Sequence, residues 1–475
     1  VARPFYSLRN DSLCYVPLQM GFIPYGSNGM CAGNTPEEAL VQGFSEIFER
    51  YANREIMLKK ITPPTVPEAY LEKYPRLHSL LKNIETEGKL HVLVKDCSLG
   101  RGLPVLGLAV IDREKQSYSV QLGAHPVFAI ALERCITELL QGRRLHDTLK
   151  SFMTTFNFAD RRLNHPENMG NIFKMGVGSY PAEFFSGRCS YEFTEFKDMS
   201  AADNRQMLRH CAGLLLEQGC DVLIRDVSHL GFPSYFIIVP GVSEISEYDE
   251  AVLGVMDLLK QSRLILRNPG QATGEELRKV VSYLLRRLGR RLETDNLGQV
   301  LGLPLKSSFP WLKKPILYFV AAALYKMNKP KEALGMMNQL LAAMENRVSA
   351  PGSPDGKFMA FYKCVRDYLQ GLAGGLDPAG VEELLEVFYP REILDRVLRL
   401  WSSPEHVFDD FGALSCWNCR ECAFNSHCSQ EFTVALHKKL KDREKENPIN
   451  QMDLRELFVN LPGGWPVSAK PVPVV

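Results

Sequence analysis

Up to about residue 265 the chain alternates amphipathic stretches with short apolar runs, and beyond about 275 its apolar spacing is almost wholly helical. Two segments of the first part are alike: HVLVKDCSLGRGLPVLGLAVI, from His91, and DVLIRDVSHLGFPSYFIIVP, from Asp221. Val92, Leu93, Val94, Lys95, Asp96 and Ser98 match Val222, Leu223, Ile224, Arg225, Asp226 and Ser228, and a Gly-x-Pro follows in both, Gly102 to Pro104 and Gly231 to Pro233. Each copy comes after an amphipathic stretch ending at a glycine, Leu71 to Gly88 and Asp203 to Gly219. The predicted unit is helix, strand, loop, strand. Used twice, it predicts an α+β core of helices packed on a mixed β-sheet, with an internal pseudo-repeat. Coincidence between two ordinary hairpin units is the competing explanation.

From Lys314 to about Ala343 the spacing predicts two helices around a turn containing Asn328 and Pro330. This pair resembles a tetratricopeptide hairpin, although only one such unit is clear and a generic helical hairpin has the same pattern. Another amphipathic stretch runs from Asp377 to Leu400, and the final LPGGWPVSAKPVPVV is too rich in Pro and Gly for helix. With 475 residues the length fits two to three domains. The expected division is an α+β core at 1–270, a helical, tetratricopeptide-like region at 271–435, and a C-terminal helix with a Pro-rich tail at 436–475.

Composition narrows the function classes. A net charge of +1 provides no basic field for nucleic acid. No apolar run approaches the roughly 20 residues that cross a bilayer, and no signal-peptide pattern opens the chain. Eight of the 12 cysteines stand alone in apolar or amphipathic surroundings, as in a reducing compartment, so a cytoplasmic location is expected. The chain opens at Val1 on strand-like residues, and an upstream segment is expected to precede it.

The segment Asn28 to Ile56, NGMCAGNTPEEALVQGFSEIFERYANREI, carries the first candidate chemistry. Thr35 is suited to cap a helix, Pro36 to open it, and Glu38 stands three residues after Thr35. Asn34, Glu38, Gln42, Glu46 and Arg50 are spaced by four, and Glu49 lies three beyond Glu46, so all share one helical face. A solvated face with a capping box is the plain interpretation. Against it, the face has almost no lysine, Glu46 and Glu49 are like charges one turn apart, and both flanks are apolar. Carboxylates and amides crowded at partial burial suit a hard cation such as Mg2+, which bridges carboxylates to phosphates. A second helical stretch, GAHPVFAIALERCITELLQGRRL, places Arg134, Glu138 and Gln141 on one face. Its arginine is suited to phosphate oxygens, with an Arg134–Glu138 surface pair as the alternative.

SNGMCAGNTPEEALVQGFSEIFERY and GAHPVFAIALERCITELLQGR resemble the core motifs of the YcaO family, in particular its bacterial branch of ribosomal-protein methylthiotransferase accessory factors. The likeness runs from the N-terminus to about residue 265. It implies ATP binding, with carboxylates holding Mg2+ against the triphosphate. The residues at the motif positions are Asn34, Glu38, Gln42, Glu46, Glu49, Arg50 and Arg134, with Glu138 beside them. In better-studied members ATP activates a backbone carbonyl of a peptide or protein substrate, and attack by a side chain or sulfide gives an azoline or thioamide. The resemblance also implies a homodimer and a partner in sulfur transfer or methylthiolation.

The chain departs from that pattern in two places. The family carries a further Glu-x-x-Glu-Arg motif in an N-terminal segment, whereas the one ExxER here is Glu46 to Arg50. The expectation is a missing upstream segment or a half site. The second departure is CWNCRECAFNSHC, with Cys416, Cys419, Cys422 and Cys428 in metal-ligand density and His427 adjacent. Four soft ligands in 13 residues suit tetrahedral zinc or an iron–sulfur cluster, but the spacing matches neither pattern closely, and free thiols are the alternative. The tail residues Pro471 and Pro473 weakly resemble the proline-rich tails of azoline-forming members, and a disordered tail fits them as well. Two functions therefore compete: an ATP- and Mg2+-dependent enzyme acting on a peptide or protein amide, towards which the motifs lean, and a non-catalytic ATP-binding adaptor whose helical region docks a partner protein.

Overall fold

The apolar runs of the first half fold as eight strands among the described residues. The structure, a computed structural model, describes residues 2–140, 148–149, 152–153, 166–245, 250–288, 296–345, 355–446 and 451–459. The chain divides into two units, Val1–Tyr248 with Leu440–Val475, and Asp249–Lys439.

In the first unit, β1 (Ala2–Ser7), β2 (Ser12–Pro17), β3 (Met30–Ala32), β7 (Leu223–Asp226) and β8 (Ser234–Ile238) form a five-stranded sheet of order β2-β1-β7-β8-β3. Strands β4 (His91–Asp96), β5 (Val105–Asp112) and β6 (Ser117–Ala124) form a second sheet in that order. All described strand pairs are antiparallel. The mixed sheet expected from the sequence is therefore two antiparallel sheets. The two similar segments supply the β4–β5 hairpin of one sheet and the β7–β8 hairpin of the other, with Val92 opposite Val110 and Ile224 opposite Ile237. Their loops are too short for a parallel crossover, which takes roughly a dozen residues. Strand β5 is buried almost throughout, which explains its continuous apolar run.

Helix α1 (Pro36–Lys59) packs on β3 and β8 of the larger sheet and on β5 and β6 of the smaller one. Its Leu40, Phe44, Ile47 and Phe48 are fully buried, and the Phe44 and Phe48 rings stack. The approach to the larger sheet requires Gly43, since a Cβ there would lie 2.7 Å from Cys31 Sγ and 2.8 Å from Ile237 Cδ1. Helix α2 (Pro75–Gly88) precedes β4, and helix α3 (Phe128–Leu140) lies on β5 and β6. At Gly123 of β6 a Cβ would meet Ala131 O at 2.6 Å, so α3 sits unusually close to its strand. Helices α4 (Pro166–Met175) and α5 (Asn204–Leu216) follow, with α5 packed on α1. The C-terminal segment, expected to stand apart from residue 436, instead joins this unit from Leu440. Leu454 and Phe458 of the helix Gln451–Val459 bury in the same core as Phe44, and Glu444 pairs with Arg3 and Arg225.

The second unit is helical: α6 (Glu250–Leu266), α7 (Gly274–Leu288), α8 (Ile316–Lys326), α9 (Pro330–Glu345), α10 (Asp355–Ala373), α11 (Pro378–Glu386) and α12 (Arg391–Trp401). Helix α8 is apolar nearly all round and buried nearly all round, the behaviour of a central helix. It joins α9 through Asn328, at φ +59°. Trp311, Tyr318 and Trp401 anchor the core, and Trp311 Nε1 donates to Phe411 O at 2.5 Å. Residues 402–429 hold no α-helix or strand, only the 3-10 turns Cys419–Glu421 and Asn425–His427. No described helix is long and apolar enough to cross a membrane.

Candidate nucleotide site

The start of α1 is set by local chemistry. Thr35 Oγ1 accepts a hydrogen bond from Glu38 N at 3.2 Å, and Pro36 fills the first helical position. Glu38 does not return a bond to Thr35. Its carboxylate accepts from Asn34 N at 3.1 Å and from Asn34 Nδ2 at 3.1 and 3.2 Å. Asn34 and Glu38 thus form one polar pair at the mouth of the helix.

Two turns on, Glu46 and Arg50 make an ion pair at 2.7 Å. The Arg50 guanidinium also lies over the Phe173 ring of α4, 5.4 Å from its centroid. Between these groups stands Gln42, whose side-chain oxygen accepts a hydrogen bond from Arg134 Nη2 of α3. Arg134 Nη1 donates to Ala124 O at 2.8 Å. This fork spends Arg134 on the strand end and on α1, so the Arg134–Glu138 surface pair is not formed. It brings Arg134 and Glu138 of α3 alongside Gln42, Glu46, Glu49 and Arg50 of α1.

Glu49 is the least compensated member. Its carboxylate takes no hydrogen bond and no ion pair from any described residue. The residue is half-buried, and burial raises its pKa to about 8. Repulsion from Glu138 and Glu46 adds to the rise, while Arg50 and Arg134 oppose it. Burial also pushes the Glu46 carboxyl up, against the pull of Arg50. It pulls Arg134 down, against Glu49 and Glu138. His125, buried at the foot of α3, falls to about 4 because of burial and then Arg134, so its ring stays neutral and its Nδ1 accepts from Val127 N at 3.0 Å. Neither His125 nor Phe173 shows in the helical spacing. A histidine beside Pro126, just ahead of the apolar stretch that forms α3, was the one available signal for His125.

The donors are hard oxygens, the type Mg2+ takes. As the chain stands, no group of three or more His, Cys, Asp or Glu side chains among the described residues is set to hold a metal ion. Glu38 precedes Glu46 by about 12 Å along the helix axis at 1.5 Å per residue. The face therefore presents two polar stations, Asn34 with Glu38 and Gln42 with Glu46 and Glu49. Gln141 and the tail residues Pro471 and Pro473 lie outside the described residues. In the second unit, Cys416, Cys419, Cys422 and Cys428 are free thiols that line one cavity.

A family model for the YcaO cyclodehydratase, described as ATP- and Mg2+-binding, matches residues 1–243. Over 242 residues the chain is 34% identical to the ribosomal protein S12 methylthiotransferase accessory factor YcaO of Escherichia coli strain K12, a stretch covering 51% of this chain and 40% of that protein. Over 252 residues it is 32% identical to a protein of Haemophilus influenzae, covering 53% of this chain and 42% of the relative. The chain thus spans about two fifths of the length of these relatives. Among solved structures, a heterocyclase in complex with substrate and cofactor is similar at a TM-score of 0.37 and 21% identity, over 51% of this chain and 33% of the other. YcaO from Methanopyrus kandleri bound with AMPPCP and Mg2+ is similar at a TM-score of 0.33 and 19% identity, over 52% and 68%.

Proposed function

The chain belongs to the YcaO family, and on that premise we propose that the α1–α3 face holds ATP and Mg2+ and activates a backbone amide of a peptide or protein. One observation carries the reading: Glu49 is a half-open carboxylate, crowded by Glu46 and Glu138 and unpaired by any described residue, between two arginines. A folded protein has little reason to keep such a group unless a cation completes it. Glu38, Glu46 and Glu49 are the Mg2+ ligands in this reading, with Glu138 beside them. Asn34 and Gln42 orient the polyphosphate, and Arg50 and Arg134 face its oxygens. The two stations suit a chain of phosphates better than a single anion. When bound, Mg2+ and ATP supply the electrophilic phosphoryl group that turns an amide oxygen into a leaving group. His125, kept neutral, adds no competing positive charge behind Arg134.

The amide would then be open to attack by a side chain or sulfide, giving an azoline or thioamide. A role as an accessory factor in ribosomal-protein β-methylthiolation follows the name of the Escherichia coli relative. A cytoplasmic location, a homodimer and a repeated helix–hairpin unit belong to the same proposal. Titration calorimetry of ATP with and without Mg2+ tests the reading. Binding that requires Mg2+ supports it, and equal heats in both conditions reject it.

A second reading keeps nucleotide binding and drops turnover. The separate helical unit favours it. There the α8–α9 pair acts as a tetratricopeptide-like hairpin that docks a partner. Sustained phosphate release by the purified protein with a peptide substrate rejects the adaptor reading.

A further inference from the structure

We propose that Cys416, Cys419, Cys422 and Cys428 bind one zinc ion through four thiolates, as a structural site of the second unit. The site lies outside residues 1–243, and the nucleotide reading makes no use of it. All four thiols are free, part-exposed and gathered on the wall of one cavity, whose other surface includes Leu305 and Phe424. No carboxylate and no histidine lines it. His427, adjacent in sequence, is engaged with Ser308 Oγ at 3.0 Å. The available donor set is therefore four sulfurs, which selects tetrahedral zinc or an iron–sulfur centre over harder cations. A single tetrahedral ion is completed by these four sulfurs alone, whereas an iron–sulfur cluster would also need inorganic sulfide.

The surrounding loop has the organisation such a site needs. It is fastened from outside: Leu414 N donates to Arg267 O at 2.7 Å, Lys306 N to His427 O at 2.9 Å, and Ser429 N to Pro304 O at 2.9 Å. Within it, each 3-10 turn delivers a cysteine, with Cys422 N donating to Cys419 O at 3.3 Å and Cys428 N to Asn425 O at 3.1 Å. Cationic side chains border it. Arg267 lies over the Trp417 ring, 4.7 Å from the centroid, and Lys306 Nζ donates to Ser426 O at 3.0 Å. They offset the net negative charge of a zinc ion with four thiolates. The sulfurs do not yet converge to bonding positions, so zinc binding draws them inward and tightens the loop, with release of the thiol protons.

The test is metal and sulfide analysis of the full chain, expressed in medium supplemented with zinc and iron and purified anaerobically without chelators. About one zinc per chain is expected, with no acid-labile sulfide. Cys419→Ser with Cys422→Ser should lose the zinc and keep Mg2+-dependent ATP binding. Should that variant fail to fold, cobalt exchange into the wild-type chain provides the second measurement, with tetrahedral d–d and thiolate charge-transfer bands expected. Wild-type protein with no bound metal and four reactive loop thiols overturns the proposal. So does zinc that survives the double substitution, iron with sulfide in place of zinc, or cobalt without thiolate bands.

Discussion

The carboxylate helix and the cysteine loop both gather side chains of the types that ligate metals, yet they are ordered by opposite means. Helix α1 is a regular element whose apolar side is fully buried at Phe44, Ile47 and Phe48. Its geometry is fixed by packing, and its polar face is carried along, including the poorly compensated Glu49. The 402–429 segment has no helix or strand to impose its shape beyond two single 3-10 turns. Its order comes from backbone bonds to its neighbours and, in our proposal, from zinc. A site on a packed helix tolerates an absent ligand, whereas a site on a loop depends on one.

The comparison can be broken most severely at the scaffold. Phe48→Ala removes a fully buried ring from α1 and should cost about 3–5 kcal/mol in urea unfolding of the first unit. Loss of Mg2+ should cost that unit far less. If both losses are equal, α1 is ligand-ordered like the loop. Next in size is Arg134→Ala, which removes the link from Ala124 O to Gln42 and should weaken ATP binding about 10- to 100-fold by calorimetry. Unchanged affinity would detach α3 from the site.

Proton linkage sharpens the contrast further. The Glu49 carboxyl titrates at about 8 in the folded chain, against an ordinary 4.5. Between those values the folded state holds a proton that the unfolded state releases, so this group's contribution to stability falls as pH rises through the window. Glu49→Gln should flatten that fall in urea unfolding measured from about pH 5 to about pH 9. Mg2+ needs the deprotonated carboxylate, so its binding near neutral pH should release a proton, read as a buffer-dependent heat, and should strengthen with pH up to about 8. The smallest effect is expected at the cap: Thr35→Ala should cost about 1 kcal/mol of stability. A far larger loss would mean that the Asn34–Glu38 pair falls with it.

The sequence showed what is local and hid what is not. Thr35 and Pro36 marked the start of α1 because capping is decided within one turn. The four-residue spacing marked the polar face, because periodicity places residues on a common side. The bond from Arg134 to Gln42 joins residues far apart in the chain, and no periodicity encodes it. Arg134 and Glu138 looked like a pair only because they are one turn apart. The two similar segments were legible as hairpins, but their division between two antiparallel sheets depends on which edges pair. The return of Leu454 and Phe458 to the first core was likewise hidden, since a short apolar stretch does not say which core it fills.

The most direct measurement is the Mg2+ dependence of ATP affinity in the wild-type chain and in the Glu46→Ala, Glu49→Ala double variant. Binding in the wild type should require Mg2+, and in the double variant it should fall by about 100-fold or more, with the Mg2+ dependence gone. Equal affinity and equal Mg2+ dependence in a folded double variant would contradict the assignment of the α1 carboxylates as the seat of metal and nucleotide.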